Sequence, residues 1–236
     1  MHGPGAGHAG PEAILTGVTI KALIFDFDGL LVDTETTLLE SWRWEWQRHG
    51  LELEPAGFFA DHGGDVNESR YVALAGAVGP AYDRESSHLL RTAHRARLNA
   101  ALQPAPGITD WLDRAAGLGL RLAVASSSGS AHVSPLLDQV GLRDRFEVLA
   151  TGDEVGAHKP DPGVYLLALD RLGLLAEEAV AFEDTAHGVT AARTAGLRCV
   201  AVPNPHADHR RFLAADLLLP SAVSMSLDAV LAELAA

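Results

Sequence analysis

Six short runs of branched and aromatic residues set the frame of this chain: Ile20–Phe27 (IKALIFDF), Leu120–Ser126 (LRLAVAS), Phe146–Ala150 (FEVLA), Ala179–Glu183 (AVAFE), Leu197–Val202 (LRCVAV) and Asp216–Leu219 (DLLL). Runs this short and this apolar read as buried strands. Helical patterns fall between most of them, at Ile108–Gly117, Ala131–Val140, Val164–Leu172 and Thr185–Ala195. Gly119, Gly141, Gly173 and Gly196 stand where helices should stop. Strands alternating with helices imply an α/β architecture, a parallel sheet with helices on both faces.

One interval breaks the alternation. Between Thr36 and Leu102 there is no convincing strand, and the segment reads as helices at Thr36–His49, Val66–Val78 and Asp83–Leu102. Leu38, Trp42 and Trp46 repeat at i, i+4 and i+8, one face of a helix, and are expected to pack inside a small bundle. Trp44 points elsewhere. The simplest organisation is an α/β core, residues 19–35 and 104–236, interrupted after its first strand by a helical insert over residues 36–103. Pro104 and Pro106 mark the return crossing. The opening MHGPGAGHAGP is rich in Gly and Pro and lacks the apolar centre of a signal peptide, so residues 1–18 are expected to be a disordered tail.

Composition narrows the partners. The formal charge is −13, which argues against nucleic-acid or membrane-surface binding, since both need a basic face. One cysteine excludes an internal disulfide framework and a thiolate zinc cluster. No stretch of about 18 uninterrupted apolar residues is present, so no bilayer span is expected, and the default is a cytoplasmic monomer. Of 18 cationic residues only two are lysines, Lys21 and Lys159.

Ligands of open α/β sheets bind beyond the carboxyl ends of the strands. The first run ends in Asp26-Phe27-Asp28-Gly29, the second in Ser126-Ser127-Ser128, and the fourth in Glu183-Asp184-Thr185; the loop after the third holds Lys159-Pro160-Asp161-Pro162. On a continuing strand Asp26 and Asp28 would face the same way and repel unless a cation lay between them. With Asp184 nearby, that cation is best read as magnesium (Mg2+), a hard ion suited to oxygen ligands. Magnesium and Lys159 would neutralise a phosphate against the carboxylates, one acid could attack phosphorus, and the other could move the proton. Each element alone has a plainer reading: a strand-end turn, a loop or helix cap at Ser126–Ser128, a capping pair at Glu183-Asp184, a solvated lysine. Their conjunction in chain order carries the argument.

That order resembles the haloacid dehalogenase superfamily of phosphohydrolases, from Ile20 to Pro220, with FDFDGLLVDTE at Phe25–Glu35, VASSS at Val124–Ser128, HKPDP at His158–Pro162 and FEDTAHGVTAA at Phe182–Ala192. The resemblance implies a Rossmann-like parallel-sheet core with helices on both faces and an inserted four-helix cap domain. It implies Asp26 as nucleophile and Asp28 as general acid/base. Ser126 and Lys159 would hold the phosphoryl group, and Gly29 would let the chain turn beneath it. Magnesium would be held by Asp26, Asp184 and the main-chain carbonyl of Asp28, with Glu183 behind them. Thr34 would belong to the cap hinge. Substrate contacts would come from Gly64 and Asn67 in the cap loop and from Ser127 and Ser128 in the core. The substrate implied is a small phosphate ester.

Within the family, Asp28 argues against the dehalogenases, and the absence of any cap lysine argues against the phosphonatases. The β-phosphoglucomutases and their sugar-phosphatase relatives remain. The mutases carry a histidine on the first cap helix, where this chain has Leu38, and an arginine in a cap loop that here reads Gly64-Asp65-Val66-Asn67. Both departures favour a phosphatase of sugar phosphates over a phosphosugar mutase. Across residues 37–100 there are seven arginines against nine acids, a net −2, which leaves −11 on the rest. The acidic core must therefore draw an anion by local donors and a metal, not by its overall field.

Overall fold

The computed structural model describes residues 14–15, 18–54, 58, 67–204 and 207–235 of the 236. Six parallel strands form the central sheet: β3 (Ala22–Phe25), β4 (Arg121–Ala125), β5 (Val148–Ala150), β6 (Ala179–Glu183), β7 (Arg198–Ala201) and β8 (Leu217–Leu218). Their order is β5-β4-β3-β6-β7-β8. The chain builds outward from β3 on one side, then returns to the other side at β6. That reversal puts the topological switch point at β3, where a crevice opens beyond the strand ends.

Period-two alternation sorts the strand side chains onto two unlike faces. Ala22, Ile24, Ala123, Ala125, Ala179, Ala181, Cys199 and Ala201 face the helices α6 (Gly163–Leu172) and α7 (Ala186–Thr194). The alanines let these helices approach closely. Leu23, Phe25, Val124, Val180, Phe182 and Val200 face α4 (Ile108–Gly117), α5 (Ser130–Gln139) and α8 (Leu227–Ala235). Phe25 stacks on Phe182 there at 4.7 Å, with Trp111 tilted against Phe182 at 5.1 Å. Cys199 is a buried core residue, and burial pushes its thiol pKa well up. Glycines at 119, 141, 173 and 196 all take positive φ where helices end.

The insert holds three helices among the described residues: α1 (Thr34–Arg48), α2 (Asn67–Val78) and α3 (Arg84–Asn99). Leu38, Trp42, Tyr71 and Leu74 form its own small core, with Trp46 partly buried beside them. Trp44, off that face, stacks on His94 at 4.3 Å. Asp33 caps α1 by accepting from the Thr36 N–H at 3.0 Å, and Asp83 caps α3. The outgoing and returning chains pair with each other. Val32 bridges Pro104, and the Ala105 N–H donates to Leu31 O at 2.8 Å.

One expectation needs correction. The tail taken to extend through residue 18 contains a short antiparallel pair, β1 (Ile14–Leu15) with β2 (Val18–Thr19), which lies near α8. Two-residue strands have no periodicity to detect, and the pairing is made by backbone groups. The C-terminal helix α8 was also not singled out by the sequence reading. No helix among the described residues is long and apolar enough to cross a membrane.

Candidate active site

Register levels the strand ends. Phe25 pairs with Val124 on one side and with Phe182 on the other, so Asp26, Ala125 and Glu183 emerge together at the carboxyl edge. The Asp26 N–H donates to Phe182 O at 2.9 Å, which seats the aspartate on the edge. Lys159 enters from the loop between β5 and α6 and is 4% exposed. Its ammonium donates to Asp26 Oδ1, to Ala125 O at 2.8 Å and to Glu183 Oε1 at 2.5 Å. An ammonium has three hydrogens, so all are engaged. A phosphate oxygen would have to share one of them.

Glu183 anchors this floor. Its Oε1 also accepts from the Tyr165 hydroxyl at 2.6 Å, and its Oε2 from Thr185 Oγ1 at 3.3 Å. Gly188 in α7 packs against it so closely that a Cβ would overlap the carboxylate. Tyr165 reaches it from α6, the helix on the alanine face. Burial works against the Lys159 charge, but Asp26 and Glu183 outweigh it and hold the pKa above its ordinary value. Burial pushes Asp26 up, against the pull of Lys159 beside it.

Asp184 differs from its neighbours. Both of its carboxylate oxygens are buried and neither has a hydrogen-bond partner. Burial first, then repulsion from Asp26 and Glu183, pushes its pKa well up. An unsatisfied buried carboxylate is costly. Asp26, Glu183 and Asp184 each place an oxygen within 4.8 Å of the others. An all-oxygen set with two unsatisfied ligand atoms fits a hard divalent cation. Gly29, with φ of +84°, lies against Asp184 Oδ2, and a Cβ there would overlap it.

Asp28 follows a different course from the one expected. Strand pairing of β3 stops at Phe25, so the alternation of a continuing strand does not reach it, and it does not join the acid cluster. Its Oδ1 accepts from Thr34 Oγ1 at 2.7 Å and from His132 Nε2 at 2.9 Å; its Oδ2 accepts from Ser128 Oγ at 2.6 Å. Burial would raise its pKa, but the bonds and charge of His132, with Ser128 and Thr34, hold it at about 2. Ser126 is buried and its Oγ accepts from the Ser128 N–H at 3.0 Å. Ser127 Oγ accepts from the Lys159 N–H at 3.2 Å, tying the two loops together.

The structure thus brings together Asp26, Asp28, Gly29, Thr34, Ser126, Ser127, Ser128, Lys159, Glu183 and Asp184. Gly64 lies outside the described residues, as does the side chain of Asn67. His132 and Tyr165 were missed by the sequence reading. So was Arg95 of α3, whose Nη2 donates to Thr34 O at 3.4 Å at the start of α1. None of the three lies in a strand-end motif, and each looks like an ordinary helix residue until its partner is known.

The family model "Haloacid dehalogenase-like hydrolase" matches residues 23–202. The Bacillus subtilis protein YhcW is 38% identical over 215 residues, 91% of this chain and 98% of that protein. The fructose-1-phosphate phosphatase YqaB of Escherichia coli is 33% identical over 187 residues, 76% of this chain and 95% of its own length. Among solved structures, CbbY from Rhodobacter sphaeroides in complex with phosphate matches with a TM-score of 0.69 and 31% identity, covering 86% of this chain and 95% of that one.

Proposed function

The chain belongs to the haloacid dehalogenase-like hydrolases, and on that premise we propose that it is a magnesium-dependent phosphatase of small phosphorylated metabolites, sugar phosphates in particular. The observation that carries the reading is the acid cluster at the switch point. There a buried Asp26 held by Lys159 stands beside an Asp184 with no hydrogen-bond partner. The sugar-phosphate class draws on the named substrate of the YqaB relative.

Asp26 acts as nucleophile. One of its oxygens forms the bond to phosphorus, and the bond from phosphorus to the leaving oxygen breaks with its electron pair on that oxygen. Asp28, a carboxylate at rest, takes the proton that a singly protonated phosphate ester brings and passes it to the leaving oxygen, returning to a carboxylate. Water then attacks the aspartyl phosphate and passes its proton to Asp28; phosphate departs and Asp26 is restored. Lys159 keeps the nucleophile oriented and its charge balanced, and Ser126 lines the phosphoryl pocket. Asp26, Asp184 and the Asp28 main-chain carbonyl would hold the magnesium ion, with Glu183 behind. When bound, the ion supplies positive charge against the phosphoryl oxygens. Leu38 weighs against a mutase, because it packs in the cap's apolar core with Trp42, Tyr71 and Leu74 and carries no proton-transferring group.

The test is a phosphate-release panel of sugar phosphates, nucleotides and an aryl phosphate, with and without added magnesium. Release from sugar phosphates that stops on chelation and returns with Mg2+ is the expected result. No release from any ester would sink the phosphatase reading. Isomerisation of a hexose 1-phosphate that needs a bisphosphate primer would replace it with the mutase.

A further inference from the structure

Asp28 has a partner that its own motif does not supply. His132 lies in the first turn of α5, 104 positions along the chain, and its Nε2 stands 2.9 Å from Asp28 Oδ1. An ionised carboxylate only accepts, so Nε2 carries the hydrogen in this pair. The imidazole also packs against a core side chain. Phe27, the residue between the two aspartates, is fully buried and meets the imidazole edge-on at 5.9 Å and 84°. The helix start beneath it is fixed. The His132 N–H donates to Gly129 O at 2.9 Å, and Ser130 donates to Asp153 through its N–H at 3.1 Å and its hydroxyl at 2.8 Å.

The three donors are not evenly shared. Oδ1 accepts two bonds, from Thr34 and His132, whereas Oδ2 accepts one, from Ser128. The less engaged oxygen is the one with room for a proton. Thr34 and Ser128 donate through hydroxyls that rotate about a single bond. Of the three donors, His132 is the one whose ring packs edge-on against a buried aromatic side chain, a contact that limits its turning.

We propose that His132 is a positioning residue for the acid/base step: it fixes one oxygen of Asp28 so that the other, Oδ2, faces the leaving-group oxygen and carries the transferred proton. The inference rests on the reading of Asp28 as acid/base. In the first half-reaction Oδ2 takes the proton of the bound, singly protonated ester and passes it to the departing oxygen as the bond from that oxygen to phosphorus breaks. In the second, the attacking water returns a proton to Oδ2. His132 itself takes part in neither bond change and acts through Asp28.

Leaving groups differ in their need for that proton. A sugar alkoxide is a strong base and cannot depart without it, whereas the oxygen of p-nitrophenyl phosphate leaves as a stable phenolate. Loss of positioning should therefore fall more heavily on the alkyl ester. The experiment compares kcat/KM for a hexose phosphate and for p-nitrophenyl phosphate in the wild type, His132→Ala and His132→Gln. General acid catalysis is worth about 10²–10⁴-fold. His132→Ala is expected to lose about 30-fold on the hexose phosphate and about threefold on the aryl ester, with most of the loss in kcat. His132→Gln, whose amide nitrogen can reach the Nε2 position, is expected to recover most of it. The ratio between esters is read within each variant, so a partly folded preparation cancels out. Equal losses on both esters, no loss on either, or a glutamine variant no better than alanine would overturn the proposal. A wild type that releases phosphate from neither ester would overturn the phosphatase reading itself, and the proposal with it.

Discussion

The floor and the rim of this site hold carboxylates two residues apart and treat them in opposite ways. On the floor, Asp26 and Glu183 share one buried cation, Lys159, with Asp184 unpartnered beside them, and burial pushes Asp26 and Asp184 toward higher pKa. On the rim, Asp28 is 20% exposed at its side chain and takes three donors from two segments, Thr34 from one and Ser128 and His132 from the other, which hold it at about 2. The difference separates two tasks. The floor is a charge arrangement in which loss of Lys159 would leave two buried carboxylates without their cation. The rim is a geometric arrangement, where losing a donor changes direction more than charge.

That contrast can be broken by substitution. The largest effect is expected from Asp26→Asn, which should cut phosphate release by about a thousandfold or more with an unchanged far-UV circular dichroism spectrum; retained turnover would remove Asp26 from its role. Lys159→Met comes next and strikes the fold itself. It leaves Asp26 and Glu183 buried together without their cation and should cost about 3–5 kcal/mol in urea unfolding. A cost below about 1 kcal/mol would mean that the floor is not held by charge balance. Tyr165→Phe removes one of the donors to Glu183 and should cost about 1–2 kcal/mol by the same measurement, with a smaller effect on turnover. Ser128→Ala, on the rim, should leave unfolding stability within about 1 kcal/mol and lower hexose-phosphate turnover severalfold. A large stability loss there would erase the distinction between floor and rim.

The secondary structure was legible to within a few residues. Ile108–Gly117 was read with the bounds that α4 has, and the glycines expected to end helices do end them. Apolar period and helix stops are local signals, which explains why they survive without tertiary information. The acids, serine and lysine of the site were legible for a related reason: each falls at a strand end or in the following loop. What stayed hidden shares one property. β1 and β2 are too short to show a period, and His132, Tyr165 and Arg95 are polar residues on helices whose meaning depends on what they touch. Asp28 was grouped with Asp26 because the strand was assumed to continue, whereas its pairing stops at Phe25.

Alone, the sequence determined the alternation of strands and helices through the central sheet, the strandless interval after the first of its strands, and which chemical groups arrive at one edge of the sheet. Only the tertiary structure decided how those groups are partnered. Lys159 spends its hydrogens on Asp26, Ala125 and Glu183, Asp184 is left without a partner, and Asp28 turns to a histidine 104 positions away. The physical reason is range. Periodicity and turn chemistry act over a few residues, whereas a hydrogen bond is settled by strand register and helix approach between segments far apart in the chain. Which of two neighbouring acids takes a lysine and which takes a histidine is settled at that longer range.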